Sequence, residues 1–401
     1  MDNHTYSPTL LQKIAEAGAR FHSFADAAYA LNLFDVEISS RQVDRITQEI
    51  GNELIELRDQ KVIQRRRREL PVRVEVPPQA VVVEVDGGRL KTRQPGCGPG
   101  THHVQFKEEK VAALVTLQSE VHDEDPSPLP PESFEQPRRI VRLLKQMKKH
   151  SQENEAEQES HQEECEEASQ EKGLRWSPEK KIRSCVASMS SSKNFGPMVA
   201  AEALERGFYQ AQRRAFVADG AAYNWSIHRG YFSTFEPITD FLHVICYVYR
   251  AACGVSEDEP WEMYLGWMRA CWQGRVGEVL MELRDWQERL GPIWPEEEVC
   301  WNDPRKLVGE ALSYLENNES RMDYPRYRAM GLPVTSSLAE SLVSEFNARV
   351  KASGKFWNRP DGVEPVLQVR AAILSEDNRL ERHFVNRLGS PFRNHRRRNA
   401  A

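Results

Sequence analysis

Two separated apolar runs in this chain stop at the same signature. Ala80–Val85 (AVVVEV) runs into Asp86-Gly87, and the segment RAFVAD, 214–219, ends on Asp219 followed by Gly220. Short β-branched runs bounded by glycine read as buried strands. Asp86-Gly87-Gly88 reads as a turn, with Arg89-Leu90-Lys91-Thr92-Arg93 returning as a second, polar-alternating strand. Lys110–Leu117 (KVAALVTL) supplies a third strand, and Pro237–Ile245 a fifth that runs into a helix. Helical spacing marks 9–60, 195–213, 250–330, 336–350 and 363–374. Strands embedded among helices make a mixed α/β core.

A length of 401 residues suggests two or three domains. Charged residues make up 28% and the mean hydropathy is -0.64, so no run approaches the ~20 apolar residues of a membrane span. The start, MDNHTYSPTLLQK, lacks the basic-then-apolar order of a secretory signal. Seven cysteines without a C-x-x-C pair argue for reduced thiols in a cytoplasmic compartment.

The net charge of -6 is an average over unlike parts. Segment 151–172 carries nine Glu and one Lys, and without it the remainder is basic. The last 23 residues hold seven Arg against one Glu, and Arg65, Arg66, Arg67 and Arg68 form an unbroken run. Local basic patches, more than total charge, attract phosphates. The acidic block has too few apolar residues to bury a core and reads as a disordered segment or a solvated helix.

Near the N-terminus, Ser23 caps one helix in this reading. Ser39 or Ser40 caps a second that carries Val43, Ile46 and Ile50 and ends at Gly51. Two such helices fit either a helix-turn-helix that reads DNA or a hairpin that only packs. Six of the nine tryptophans lie at 261, 267, 272, 286, 294 and 301, at spacings that suit a helical core better than base stacking.

The strand and helix order matches a ribonuclease H-like arrangement, in which the first and fourth strands are neighbours. Asp86 and Asp219 then meet at adjacent strand ends, and Glu340, at the start of a late helix, completes three carboxylates. Hard divalent cations take such oxygen ligands, and two of them can activate the attacking oxygen and stabilise the leaving oxygen of a phosphoryl displacement. Singly, each acid has a plainer reading: Asp86-Gly87 and Asp219-Gly220 as turns, and Glu340 as a surface residue rivalled by Glu345. No G-x-S-x-G or P-loop motif is present.

Four segments carry a resemblance: VEVDGGRLKTR at 83–93, FGPMVAAEALERGFYQAQRRAFVADGAAYNW at 195–225, ITDFLHV at 238–244 and GLPVTSSLAESLVSEFNARVKASGKFW at 331–357. Together they resemble bacterial insertion-sequence transposases of the DDE type, nearest the ISKra-type group, over roughly residues 20–390. The resemblance implies a ribonuclease H-like core with a helical N-terminal DNA-binding region and linker (1–78). The core takes 79–122 and 176–245, interrupted by a Pro-rich and acidic spacer (123–175). A helical insertion domain (246–330), the catalytic helix and end of the core (331–390) and a basic tail (391–401) follow. It implies that Asp86, Asp219 and Glu340 are the catalytic, metal-holding acids for two Mg²⁺ or Mn²⁺ ions. Asp240 and His243 match a supporting D-x-x-H element. The partners implied are double-stranded DNA, as element ends and target, and a second copy of the chain, since two ends must be brought together. Thr335-Ser336-Ser337 departs from the Gly-rich segment many relatives carry before the Glu.

Arg89 suits a bidentate phosphate contact, and Arg349, Lys351 and Lys355 suit backbone contacts beside Glu340, as does the Arg65–Arg68 run. A catalytically inactive DNA-binding derivative and a structure-specific nuclease are the competing functional readings.

Overall fold

The structure is a computed structural model that describes residues 6–94, 96–98, 104–151, 177–256, 259–294, 296–351 and 355–387. The acidic block from 152 onward, the basic tail 391–401 and the side chain of Glu340 lie outside the described residues. In chain order the elements are α1 (Pro8–Arg20), α2 (Phe24–Asn32), α3 (Ser40–Arg66), β1 (Ala80–Arg93), β2 (Val104–Gln118), α4 (Pro137–Ser151), β3 (Glu179–Ser188), α5 (Ser192–Glu205), β4 (Arg213–Ala218), α6 (Ala222–Tyr231), β5 (Glu236–Thr239), α7 (Phe241–Val255), α8 (Pro260–Trp272), α9 (Val276–Leu290), α10 (Pro304–Asn318), α11 (Tyr324–Ala329), α12 (Ser337–Val350), α13 (Val363–Leu374) and α14 (Arg379–Asn386).

The strands form one mixed sheet in the order β3-β2-β1-β4-β5. β1–β2 and β2–β3 are antiparallel, whereas β4 runs parallel to β1 and β5 parallel to β4. Alternate side chains divide between two cores, as the period of a strand requires. Val81, Val83, Val85 and Phe216 pack under α5 and α6. Ala80, Val82, Val115 and Val217 pack under α7, α12 and α13. Each of these fully buried valines contributes about 1.5–3 kcal/mol, which is why β1 sits at the centre of the sheet.

The turn expected at Asp86-Gly87-Gly88 is absent. β1 runs straight through it, with Gly87 opposite Lys110 and Gly88 opposite Glu109. These glycines serve close approach instead. A Cβ on Gly87 would lie 2.8 Å from the Glu109 carbonyl oxygen, and one on Gly88 would lie 2.8 Å from Glu109 Oε1. The sequence therefore assigned two strands to one, while β3 escaped notice because its first four residues are exposed and rich in lysine. β5 is also shorter than its apolar run, which belongs mostly to α7.

Ser39 caps α3 with a capping box to Gln42. The helix does not stop at Gly51 but continues to Arg66. Gly51 is the contact point with α13, where a Cβ would lie 2.3 Å from the Pro365 carbonyl oxygen. Leu11, Ile14, Val43, Ile46 and Ile50 share a core with Val369, Ala372, Leu380 and Phe384. The N-terminal helices are thus packed on the C-terminal ones. Arg65 and Arg66 end α3, and Arg66, Arg67 and Arg68 are exposed.

The tryptophans divide. Trp267 and Trp272 are buried, and the Trp272 indole donates to the Ser127 carbonyl (2.8 Å). Trp294 and Trp301 are exposed. Among the described residues, no helix is long and apolar enough to cross a membrane.

Candidate functional site

On β1, Glu84, Asp86 and Gly88 have the same parity as Ala80, Val82 and Leu90, so they face the core beneath α12. On β2, Glu109 follows the parity of Val111 and Ala113, and beyond β4 and β5 Asp219 and Asp240 follow Val217 and Ile238. One face of one sheet therefore gathers five acids. Val85, midway along β1, pairs with Ala218 at the end of parallel β4, which sets Asp86 and Asp219 side by side as the next residues.

Electrostatics reports the same convergence. The Asp86 carboxyl is pushed up to about 6, first by burial and then by the Asp219 charge; Asp240 adds to the rise and His243 opposes it. Asp86 Oδ1 accepts its neighbour's Gly87 N–H (2.7 Å). Asp219 Oδ1 accepts from the Ala221 N–H (2.9 Å) and from Asn224 Nδ2 (2.8 Å), which ties it to the start of α6. Gly220, at φ 94°, turns the chain there, and the Tyr314 hydroxyl donates to the Asp219 carbonyl (3.0 Å).

Asp240 is fully buried and joins three elements. It caps α7 through the Leu242 N–H (3.2 Å), accepts the Ser336 N–H ahead of α12 (2.8 Å), and contacts His243 Nδ1 at 2.6 Å. The D-x-x-H pair is thus a hydrogen-bonded pair one helical turn apart. No known family matches this chain, and no characterised protein is significantly similar to it.

Residue 340 lies in the first turn of α12. That turn is fixed by a residue the sequence reading passed over. Glu84, with no exposed surface, accepts the Ala339 N–H through Oε2 at 2.7 Å. The signal was a lone acid inside an apolar strand, since a buried carboxylate needs donors. Glu84→Leu is expected to lose about 1–3 kcal/mol of stability and to speed amide exchange in the first turn of α12. Glu84→Gln, which keeps an acceptor, is expected to retain the protection. Hydrogen exchange on the three proteins checks this, and equal protection in all three would contradict it.

Glu109 is the other missed acid. It is fully buried opposite Gly88, and neither carboxylate oxygen has a hydrogen-bond partner among the described residues. Burial drives its carboxyl up to about 8; Lys351 and Arg370 oppose the rise and Asp86 adds to it. In the unfolded chain the value is the ordinary 4.5, so the folded protein holds the extra proton between those values. Stability without metal should then fall as pH rises from about 4.5 through about 8. Glu109→Gln is expected to flatten that fall, gaining on the order of 1–3 kcal/mol at the alkaline end. Denaturant midpoints measured in chelator across this range check it; parallel curves for the two proteins would contradict it.

The expected phosphate contacts fare unequally. Arg89 is exposed on β1. Arg65 lies over the Tyr231 ring at 5.4 Å. Arg349, expected to face DNA, is only 1% exposed. Its Nε donates to the Gly18 carbonyl (2.9 Å) and its guanidinium lies 4.6 Å from the Phe24 ring centre. Lys355 donates to the His22 and Arg349 carbonyls, and its ammonium is driven down to about 7, by burial first and then by Arg349. Arg370 donates to the Ala19 carbonyl (2.8 Å). These cations close the carbonyls left open at and just beyond the C-terminus of α1, so Arg349 and Lys355 join the N-terminal helices to α12. Lys351 is half-buried and faces Glu109.

No group of three or more His, Cys, Asp or Glu side chains poised to hold a metal ion occurs among the described residues, which exclude the Glu340 side chain. An open cavity of about 970 Å³, lined in part by Tyr247, Arg305, Lys306 and Tyr314, adjoins the Asp219 end of the site through Tyr314.

Proposed function

We propose that this chain is a DDE-type transposase with a ribonuclease H-like core, cleaving the ends of its element and joining the 3′-hydroxyls to target DNA. The observation that carries the proposal is the placement of Asp86, midway along β1, beside Asp219, the residue just past the end of the adjacent parallel strand β4, with the first turn of α12 held to β1 by Glu84. The 3-2-1-4-5 strand order supports it.

The donor set suits Mg²⁺ or Mn²⁺. It is all oxygen, and Asp86 and Asp219 repel each other, a cost that a divalent cation between them removes. Asp86, Asp219 and Glu340 would hold the ions. When bound, they supply the charge that polarises the scissile phosphate and lowers the proton affinity of the attacking oxygen. The chain's own groups do the rest. Asp240 Oδ2 accepts the hydrogen bond of the His243 Nδ1–H, which leaves Nε2 as the nitrogen that accepts or carries a proton. Asp240 also links the start of α7 to the start of α12, so the histidine and residue 340 are held in one frame. Of the basic residues expected to meet phosphate, Arg89, Arg66, Arg67 and Arg68 are exposed and open to a DNA backbone. A cytoplasmic location and a dimer that joins two ends belong to the same reading.

The test is incubation of the full chain with duplexes carrying the terminal repeats that flank its gene, with and without Mg²⁺. Metal-dependent nicks with 3′-hydroxyls at those ends support the proposal. Equal cleavage of scrambled ends would replace it with a nuclease reading, and binding without cleavage with a non-catalytic one.

A further inference from the structure

Beside the Asp86–Asp219 pair lies a second set of oxygens that the DDE reading does not use. Glu109 on β2 and Asn347 on α12 both border the space above Gly88. A Cβ built there would lie 2.8 Å from Glu109 Oε1 and 3.6 Å from Asn347 Oδ1. Glycine at this position leaves that space open. Asn347 Oδ1 and both Glu109 oxygens are buried without a hydrogen-bond partner among the described residues. Three buried acceptors lacking donors are expensive, because each loses water and gains nothing in return. Asp86 is two residues along the same strand face, and Glu109 lies diagonally across the ladder from it. Asn347 is two helical turns beyond residue 340, so it projects from the same side of α12.

We propose that Glu109 and Asn347 are further ligands of the divalent cation site at Asp86, Glu109 supplying a carboxylate and Asn347 an amide oxygen. Oxygen donors of mixed charge around a glycine-lined space suit a hard cation such as Mg²⁺ or Mn²⁺ and suit no soft metal. Gly88 is part of this site, since any side chain there would displace Glu109. The inference rests on the metal-dependent reading of Asp86 and Asp219, and it extends the ligand set to β2 and to the middle of α12.

Calorimetric titration of the full chain with Mn²⁺ alone tests it, alongside thermal melts with and without Mn²⁺. Glu109→Gln keeps the shape and removes the charge, and is expected to weaken Mn²⁺ binding about 10-fold or more. It should also shrink the Mn²⁺-induced rise in melting temperature. Asn347→Asp adds a charge at the amide position and is expected to tighten Mn²⁺ binding, a gain that misfolding cannot imitate. Asp86→Asn serves as the reference. If Asp86→Asn loses Mn²⁺ while Glu109→Gln and Asn347→Asp bind as the parent does, this inference falls and the DDE reading stands. If all three bind as the parent does, both fall.

Discussion

Asp86→Asn and Asp219→Asn are each expected to reduce metal-dependent DNA cleavage by about a thousandfold or more, equivalent to ~4 kcal/mol of transition-state stabilisation. The substitution keeps the shape of the side chain and removes the charge that holds a cation. Asp219 is already tied to Ala221 and Asn224 through one oxygen, an arrangement an asparagine oxygen can reproduce. Asp86 is half-buried beside like charges, so neutralising it relieves repulsion in the metal-free protein. Both variants should therefore fold, and Asp86→Asn should melt no lower than the parent in chelator. Single-turnover nicking paired with melting curves measures this. Parental cleavage by either folded variant would remove that acid from the mechanism.

Arg328→Met is expected to cost the most stability, about 3–5 kcal/mol. Arg328 is completely buried on α11. It grips both oxygens of Asp125 at 2.8 and 2.5 Å, donates to the Trp272 carbonyl at 3.0 Å and lies 4.1 Å from the Trp272 ring centre. The loop after β2, the end of α8 and α11 meet at this one side chain, so it ties α8 and α11 to the loop that leaves the sheet. Methionine fills much of the volume but strands the Asp125 carboxylate in a largely buried place. Replacing Asp125 with leucine in the same protein removes the stranded charge and is expected to recover most of the loss. Chemical denaturation of the single and double variants reads this directly. A loss below about 1 kcal/mol for Arg328→Met would show that the pair contributes no more than an exposed one.

Much of the site was legible because strand parity and sequence order carry it. Asp86, Asp219 and Asp240 stand where apolar runs end, and an acid at the end of an apolar run is conspicuous. What escaped shares one cause: its meaning depends on a partner distant in sequence. Gly87 and Gly88 have the composition of a turn, and only β2 lying against them makes them strand residues. Gly51 looks like a helix stop until Pro365 is seen pressed on it. Arg349 and Lys355 look like surface cations because the carbonyls they satisfy belong to a segment more than 300 residues earlier. Glu84, a lone acid in an apolar run, signals burial but not the Ala339 N–H it accepts, and Glu109 sits in the charged stretch Lys107–Lys110, where nothing local marks it as buried.

Crystals of the full chain soaked in Mn²⁺ provide the most direct test, because anomalous scattering locates the ions without reference to activity. The account predicts a peak between Asp86 and Asp219, about 2.1 Å from oxygens of both carboxylates, with the Glu340 side chain turned toward it. Peaks elsewhere, with none at this pair after saturation, would contradict it.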